Sequence, residues 1–292
     1  MRSADPKPGS AYGGGVKAWA NGRLLESPAT PAISVLDHGM IVGDGVFETI
    51  AVHADQPFAL TRHLDRLVAS AQGLGIGTPD VEAVREGIAA TLDGQDVPFG
   101  RIRVTVTSGP GPLGSPRGEQ GLTTTVVSEP CPKPPAVSAI ATVPWPRNER
   151  GALAGLKTTS YAENAKMVER ALAQGASEAV MPNTLGHLCE GTGSNVMYVV
   201  GEQLVTPTLA SGCLAGVTRA LVLQWCAGEI DVVERDAPIE VLQEADEVIL
   251  VGTTRDIQAI ERVDGRELAA PGPITGRAQE IWAREVVKDI DP

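Results

Sequence analysis

The 292-residue chain holds only four cysteines, four histidines and six lysines, and it has no long apolar run. Each shortage excludes something. No stretch approaches the roughly 20 apolar residues that a membrane span needs, and the N-terminus lacks the apolar core of a secretion signal. A cytoplasmic protein without a membrane partner is expected. Cys131, Cys189, Cys213 and Cys226 show no CxxC spacing and are sparse for a secreted scaffold, which predicts reduced thiols. His38, His53, His63 and His187 form no metal-ligand spacing with those cysteines or with one another, so no metal is expected. The net charge of -12 repels polyanions and disfavours nucleic acid. A phosphate group would have to meet a local set of arginines and backbone amides. No internal repeat is visible. The segment GPGPLGSP, from Gly109, lacks the GK[ST] ending of a P-loop and the spacing of a dinucleotide fingerprint, so it reads as a loop over the site and leaves nucleotide binding the weakest of the functional readings.

Residues 1–15 are rich in Gly, Pro and Ser and have the composition of a disordered tail. Residues 16–127 then read as an N-terminal α/β domain. VKAWANGRLL predicts a hairpin around Asn21 and Gly22, a pair suited to the positive φ angles of a tight turn. RHLDRLVASAQGL places Leu64, Leu67, Val68, Ala71 and Leu74 on one helical face, with His63 and Arg66 on an adjacent stripe. A second helix is expected near Val81–Leu92. RIRVTVTS alternates strictly, with Ile102, Val104 and Val106 on one face and Arg101, Arg103, Thr105 and Thr107 on the other. The proline-rich stretch 128–137 is the expected interdomain linker. Residues 138–292 mix helices such as YAENAKMVERALAQ with strands such as VMYVV and EVILVG and close on the helix TGRAQEIWAREVV, an α+β pattern for a larger, barrel-like domain.

Among the six lysines, Lys157 alone follows an uncharged run, GALAG, and precedes a set of hydroxyls, TTSY. A lysine in such a setting can shed its proton and act as an amine nucleophile, although lysines are ordinarily solvated surface charges. Glu190 stands before GTGSN, where Gly191 and Gly193 would let a flat ligand approach the backbone. A carboxylate against a pyridine nitrogen favours the protonated ring; the same segment also reads as a surface turn after a strand. LAGVTRALVLQW has Gly216 and Thr218 ahead of an apolar helix, so its amides and hydroxyl could receive a phosphate at the positive end of the helix, and Thr218 serves equally well as an ordinary N-cap. VILVGTTRD ends a buried strand with the small donors Thr253 and Thr254.

Taken in order, VLDHGMIVGDGVFETI (35–50), RHLDRL (62–67), LKTTSYAEN (156–164), EGTGSN (190–195), GVTR (216–219) and GTT (252–254) resemble the class IV aminotransferases. That family has fold type IV and includes branched-chain aminotransferases, D-amino acid aminotransferases and 4-amino-4-deoxychorismate lyase. The resemblance runs from about residue 17 to residue 285. It implies pyridoxal 5'-phosphate, with Lys157 as the Schiff-base and proton-shuttling lysine and Glu190 at the ring nitrogen. Arg66, in an HxxR pattern with His63, would bind the phosphate together with Val217, Thr218 and Thr253. Gly193, Ser194, Asn195 and Tyr161 complete the implied cofactor set, Tyr161 lying four residues after the lysine where branched-chain enzymes have a tyrosine five after. Packing is the other reading of Tyr161.

The implied substrate side consists of Phe47, Thr49, Arg103, Ser108 and Thr254. Branched-chain enzymes usually carry a glycine after the FE pair, whereas this chain has Thr49, as several lyases do. D-amino acid enzymes place a carboxylate-binding arginine where this chain has Ser108. The resemblance therefore implies amino transfer between an amino acid and a 2-oxo acid, with pyruvate elimination from aminodeoxychorismate as the alternative and a non-catalytic cofactor-binding protein as the third reading. It also implies a homodimer.

Overall fold

The structure, a computed structural model, describes residues 15–292. The tail expected over residues 1–15 therefore lies, but for Gly15, outside the described residues. Two compact units form, the first holding residues up to 133 together with 156–160 and Asp291, the second holding 134–155, 161–290 and Pro292.

The first unit contains β1 (Lys17–Ala20), β2 (Arg23–Leu24), α1 (His38–Ile41), β3 (Gly45–His53), β4 (Gln56–Pro57), α2 (Leu60–Leu74), α3 (Val81–Leu92), β5 (Phe99–Thr107) and β6 (Thr123–Pro130). Its sheet runs β2-β1-β6-β5-β3-β4, antiparallel at every pairing. The NG hairpin forms as the sequence predicts, with φ of 45° at Asn21 and 89° at Gly22. In the β3–β5 register Glu48 faces Val104 and Ile50 faces Ile102, while Phe47 faces Thr105 and Thr49 faces Arg103. Opposed residues share a face, so the two sets lie on opposite sides of the sheet. Val46, Ile50, Val52, Ile102, Val104 and Val106 are sealed against Leu64, Leu67 and Ala71 of α2 and Val84 and Ile88 of α3. Burying each leucine contributes about 2–3 kcal/mol. The Asp80 side chain accepts the Ala83 N–H and starts α3.

The stretch expected to be a linker, 128–137, is strand at both ends, because β6 runs to Pro130 and β7 begins at Val137. Beyond Ser128 the pairing with β1 has ended, and on the β5 side the Cys131 N–H, not that of Pro130, donates to the Phe99 carbonyl, so the missing N–H of Pro130 costs no ladder bond.

The second unit contains β7 (Val137–Thr142), α4 (Ala162–Ala173), β8 (Glu178–Pro182), β9 (Leu188–Gly191), β10 (Asn195–Val200), β11 (Gln203–Thr206), α5 (Val217–Cys226), β12 (Asp231–Glu234), β13 (Glu247–Gly252), β14 (Asp256–Val263), β15 (Arg266–Glu267) and α6 (Pro273–Val286). Its sheet follows β12-β11-β10-β13-β14-β7-β8-β9, with β15 added to β14. The β11–β12, β14–β7 and β7–β8 pairs are parallel and the others antiparallel, which makes the sheet mixed as expected. One core gathers Ile140, Val180, Leu188, Val196, Tyr198, Leu250 and Ile260. A second lies under α4, with Met167, Ala171, Met181, Cys189 and Cys213. Antiparallel β10 and β13 are paired through Asn195 and Val251, so the turns at 190–195 and 252–255 leave the sheet at the same end.

Candidate active site

In the first unit the lysine segment is an added edge. Residues 45–49 of β3 have β5 on one side, and β4 reaches only Val52 and His53. Their open edge takes up residues 157–159: the Phe47 N–H donates to the Lys157 carbonyl (3.0 Å) and the Thr159 N–H to the Gly45 carbonyl (2.8 Å). Ser70 of α2 accepts the Lys157 N–H at 3.2 Å. Lys157 Nζ lies 4.2 Å from the centre of the Phe47 ring, and the Arg103 guanidinium carbon lies 3.3 Å from the same centre. Lys157, Phe47 and Arg103 thus converge, with Thr49 beside Arg103 in the register. Ser108, just past β5, is buried, and its N–H donates to the Asp44 carbonyl. Arg117 pairs with the Asp44 carboxylate and holds it below the usual carboxylate range.

Arg66 is anchored from the opposite face of β3. Its Nε donates to Glu48 Oε1 (2.8 Å) and its Nη2 to Glu48 Oε2 (2.7 Å), while His63 Nδ1 lies 2.7 Å from the same Oε2. Glu48 is fully buried. Burial by itself would raise its carboxyl, but the Arg66 charge and the hydrogen bonds from Arg66 and His63 outweigh that and hold it at about 2. Burial pushes His63 down, against the pull of Glu48. Since a carboxylate only accepts, a neutral His63 carries its proton on Nδ1 and donates it to Glu48. Glu48 was not among the sequence candidates. Its signal was present nonetheless: in GVFETIAVH it is the one charge on the Val46, Ile50 and Val52 face, where a carboxylate must be paired.

In the second unit Leu214 joins two candidates. Its N–H donates to Glu190 Oε2 (2.9 Å) and its carbonyl accepts from Asn195 Nδ2 (2.8 Å). Arg147 Nε stands 3.3 Å from Glu190 Oε1, an ion pair without an aligned hydrogen bond. Arg147 sits in a proline-flanked loop, PWPRN, with no periodicity to mark it, and sequence reasoning missed it. Tyr161 donates its hydroxyl to the Thr192 carbonyl at 3.1 Å, as does Asn164 Nδ2 at 2.7 Å. Thr253 and Thr254 occupy a turn closed by the Arg255 N–H on the Gly252 carbonyl. A Cβ at Gly252 would lie 3.4 Å from Ser194 Cβ, which sets this turn against Gly193 and Ser194.

Helix α5 begins at Gly216 with no side-chain cap, and Val217 and Thr218 form its first turn. A Cβ at Gly216 would come within 1.9 Å of Asn195 Oδ1, so only a glycine lets the Asn195 side chain pack against the start of the helix, where the dipole is positive. The first unit carries an amine beside an aromatic ring, and the second carries a fixed carboxylate and a helix N-terminus without a side-chain cap; these are the kinds of group that pyridoxal phosphate takes as partners. The residues present fit that group. Among the described residues no cluster of His, Cys, Asp or Glu is placed to hold a metal, and no helix is long and apolar enough to cross a membrane.

Comparison with known proteins identifies the family. The family described as Amino-transferase class IV matches residues 45–263, and the chain belongs to it. Members of that family are pyridoxal-phosphate enzymes. A Methanocaldococcus jannaschii protein provisionally named a branched-chain-amino-acid aminotransferase is 32% identical over 275 residues, covering 91% of this chain and 94% of its own. The D-alanine aminotransferase of Bacillus licheniformis is 29% identical over 94% of this chain and 98% of its own. Among solved structures, a branched-chain aminotransferase from Thermoproteus uzoniensis superposes with a TM-score of 0.85 at 30% identity, over 93% of this chain and 95% of that one.

Proposed function

We propose that the chain catalyses amino transfer between an α-amino acid and a 2-oxo acid, with Lys157 as the reacting amine. Pyridoxal phosphate, when bound, supplies an aldehyde that an amine can capture and a ring that accepts the electron pair released at the substrate α-carbon. Lys157 Nζ takes the α-proton of the donor and delivers a proton on the return half-reaction. Glu190 would accept the ring N–H, Arg66 and the amides of Val217 and Thr218 would hold the phosphate with Thr253, and Gly193, Ser194, Asn195 and Tyr161 would shape the wall. Phe47, Thr49, Arg103, Ser108 and Thr254 form the substrate side.

The observation that carries this reading is the fixation of Glu190 by Arg147 and by the Leu214 N–H. Those contacts hold a carboxylate ready for a ring nitrogen. We further place the enzyme in the cytoplasm as a homodimer. In support, all four cysteines are free thiols, and the first unit exposes the apolar side chains of Val35, Leu36, Met40 and Val42 within one short segment.

The test is to add pyridoxal phosphate to the purified protein, reduce with borohydride and map the adduct by mass spectrometry. The adduct is expected on Lys157, and Lys157→Ala should lack both the adduct and the visible band. Half-reactions with branched-chain amino acids, D-alanine and aminodeoxychorismate then identify the reaction. Pyruvate and 4-aminobenzoate from the last, with no amino transfer from the others, would replace this reading with that of a lyase. An adduct with no turnover of any donor would make the chain a binding protein.

A further inference from the structure

Glu178 and Arg255 have no role in the scheme above, yet they join two segments that do. The Glu178 side chain, 4% exposed at the start of β8, divides its two oxygens between those segments. Oε1 accepts the Gly193 N–H at 2.7 Å and the Ser194 hydroxyl at 2.8 Å. Oε2 meets Arg255 Nη2 at 2.8 Å. Arg255 follows directly on the Gly252–Thr254 turn, and its Nη1 donates to the Gln258 carboxamide oxygen. Gln258 is itself held by the Pro135 carbonyl and the Ser138 hydroxyl.

The packing around this bridge leaves no slack. A Cβ at Gly191 would come 2.6 Å from Glu178 Oε1 and 2.7 Å from Ser194 Oγ. A buried carboxylate facing only neutral donors would be costly, and the Arg255 charge offsets that cost. The strand pairing of β10 with β13 sets the two turns at one end of the sheet but does not fix the loops beyond it. The ion pair does.

We propose that Glu178 and Arg255 act as a positioning clamp that locks the 190–195 loop to the 252–254 turn and thereby sets the affinity for the cofactor. The clamp deepens the pyridoxal-phosphate reading and rests on it. It works through Glu190, Gly193, Ser194, Asn195 and Thr253, and its two members are positioning residues.

The experiment uses the full chain with Arg255→Gln, Arg255→Lys and Glu178→Gln. The dissociation constant for pyridoxal phosphate is measured by titrating the apo protein, alongside its apo melting temperature and the KM and kcat of the loaded enzyme. Arg255→Gln and Glu178→Gln are expected to weaken cofactor binding about tenfold or more, since coupled contacts of this kind are worth about 1–3 kcal/mol. Because each neutral variant takes one partner from a buried pair, the apo melting temperature should fall as well, and Arg255→Lys should recover most of the affinity. Unchanged dissociation constants in both neutral variants would overturn the proposal. So would a loss of affinity that merely tracks a loss of apo stability and is not recovered by lysine. Failure of the cofactor reading is distinguishable, because the wild-type protein itself would then form no adduct.

Discussion

Replacing Glu48 by glutamine tests whether a buried charge organises the first unit. The substitution keeps the side chain's shape and removes its charge. In the structure Glu48 is inaccessible to solvent and receives three hydrogen bonds, two from Arg66 and one from His63. Two routes to the magnitude agree. Removing one partner of a buried pair leaves the Arg66 guanidinium, 13% exposed, without its carboxylate, which costs about 3–5 kcal/mol. Independently, holding the carboxyl at about 2 in place of its ordinary 4.5 corresponds to about 3 kcal/mol of folding stability.

The sign follows from the lowered value. An acid depressed in the folded state contributes its full stability above about pH 4.5 and loses it as pH falls toward 2. Glutamine does not titrate. Urea denaturation of the apo protein, followed by circular dichroism, should therefore show Glu48→Gln less stable than wild type by about 3 kcal/mol at pH 7, with the gap narrowing below pH 4.5. A gap under about 1 kcal/mol at pH 7, the worth of an ordinary surface pair, would refute the reasoning, and so would a gap that acid leaves unchanged.

Gly109→Ala should lower the melting temperature and cost at least about 2 kcal/mol. Gly109 has a φ of 78°, and a Cβ there would sit 1.9 Å from the Gly121 carbonyl oxygen; a calorimetric profile matching wild type would contradict this. In the native protein Cys131 should be the first of the four thiols to react with Ellman's reagent, although burial raises its thiol too. Cys131 is half-buried, whereas Cys189, Cys213 and Cys226 are buried, and burial raises the thiol of each, that of Cys226 to about 11. Three or four thiols titrating before unfolding would count against the buried placement of these residues.

Periodicity made most of the fold legible. Strict alternation in RIRVTVTS marked β5 and its two faces, and the spacing of Leu64, Leu67 and Ala71 marked α2. The order of motifs then marked the candidate site, because each motif is a short segment with its own chemistry. What stayed hidden depends on pairing between distant segments. Glu178 looks like any acidic residue at the start of a strand until Gly193, Ser194 and Arg255 are brought to it. Arg147 becomes significant only when Glu190 folds back against it. The same limit applied to the division of the chain: residues 156–160 lie beyond the proline-rich stretch in sequence, yet they belong to the first unit because an open strand edge receives them.

That edge makes β3 the element on which the lysine's surroundings depend. The Phe47 N–H holds the Lys157 carbonyl, and the Phe47 ring lies beside Lys157 Nζ and Arg103. One residue further on, Glu48 points to the other face and fixes Arg66. Side chains alternate along a strand, so a slip of one residue would bury the phenylalanine among the helices and bring the carboxylate to the lysine. Neither residue tolerates the exchange: Arg66 would lose the carboxylate that it now meets through two nitrogens, and Lys157 would acquire an anion that favours its protonated form. The core residues Val46, Ile50 and Val52 hold the register that prevents this slip. The apolar packing of β3 and the surroundings of an amine more than a hundred positions away in the chain are therefore set by one alignment.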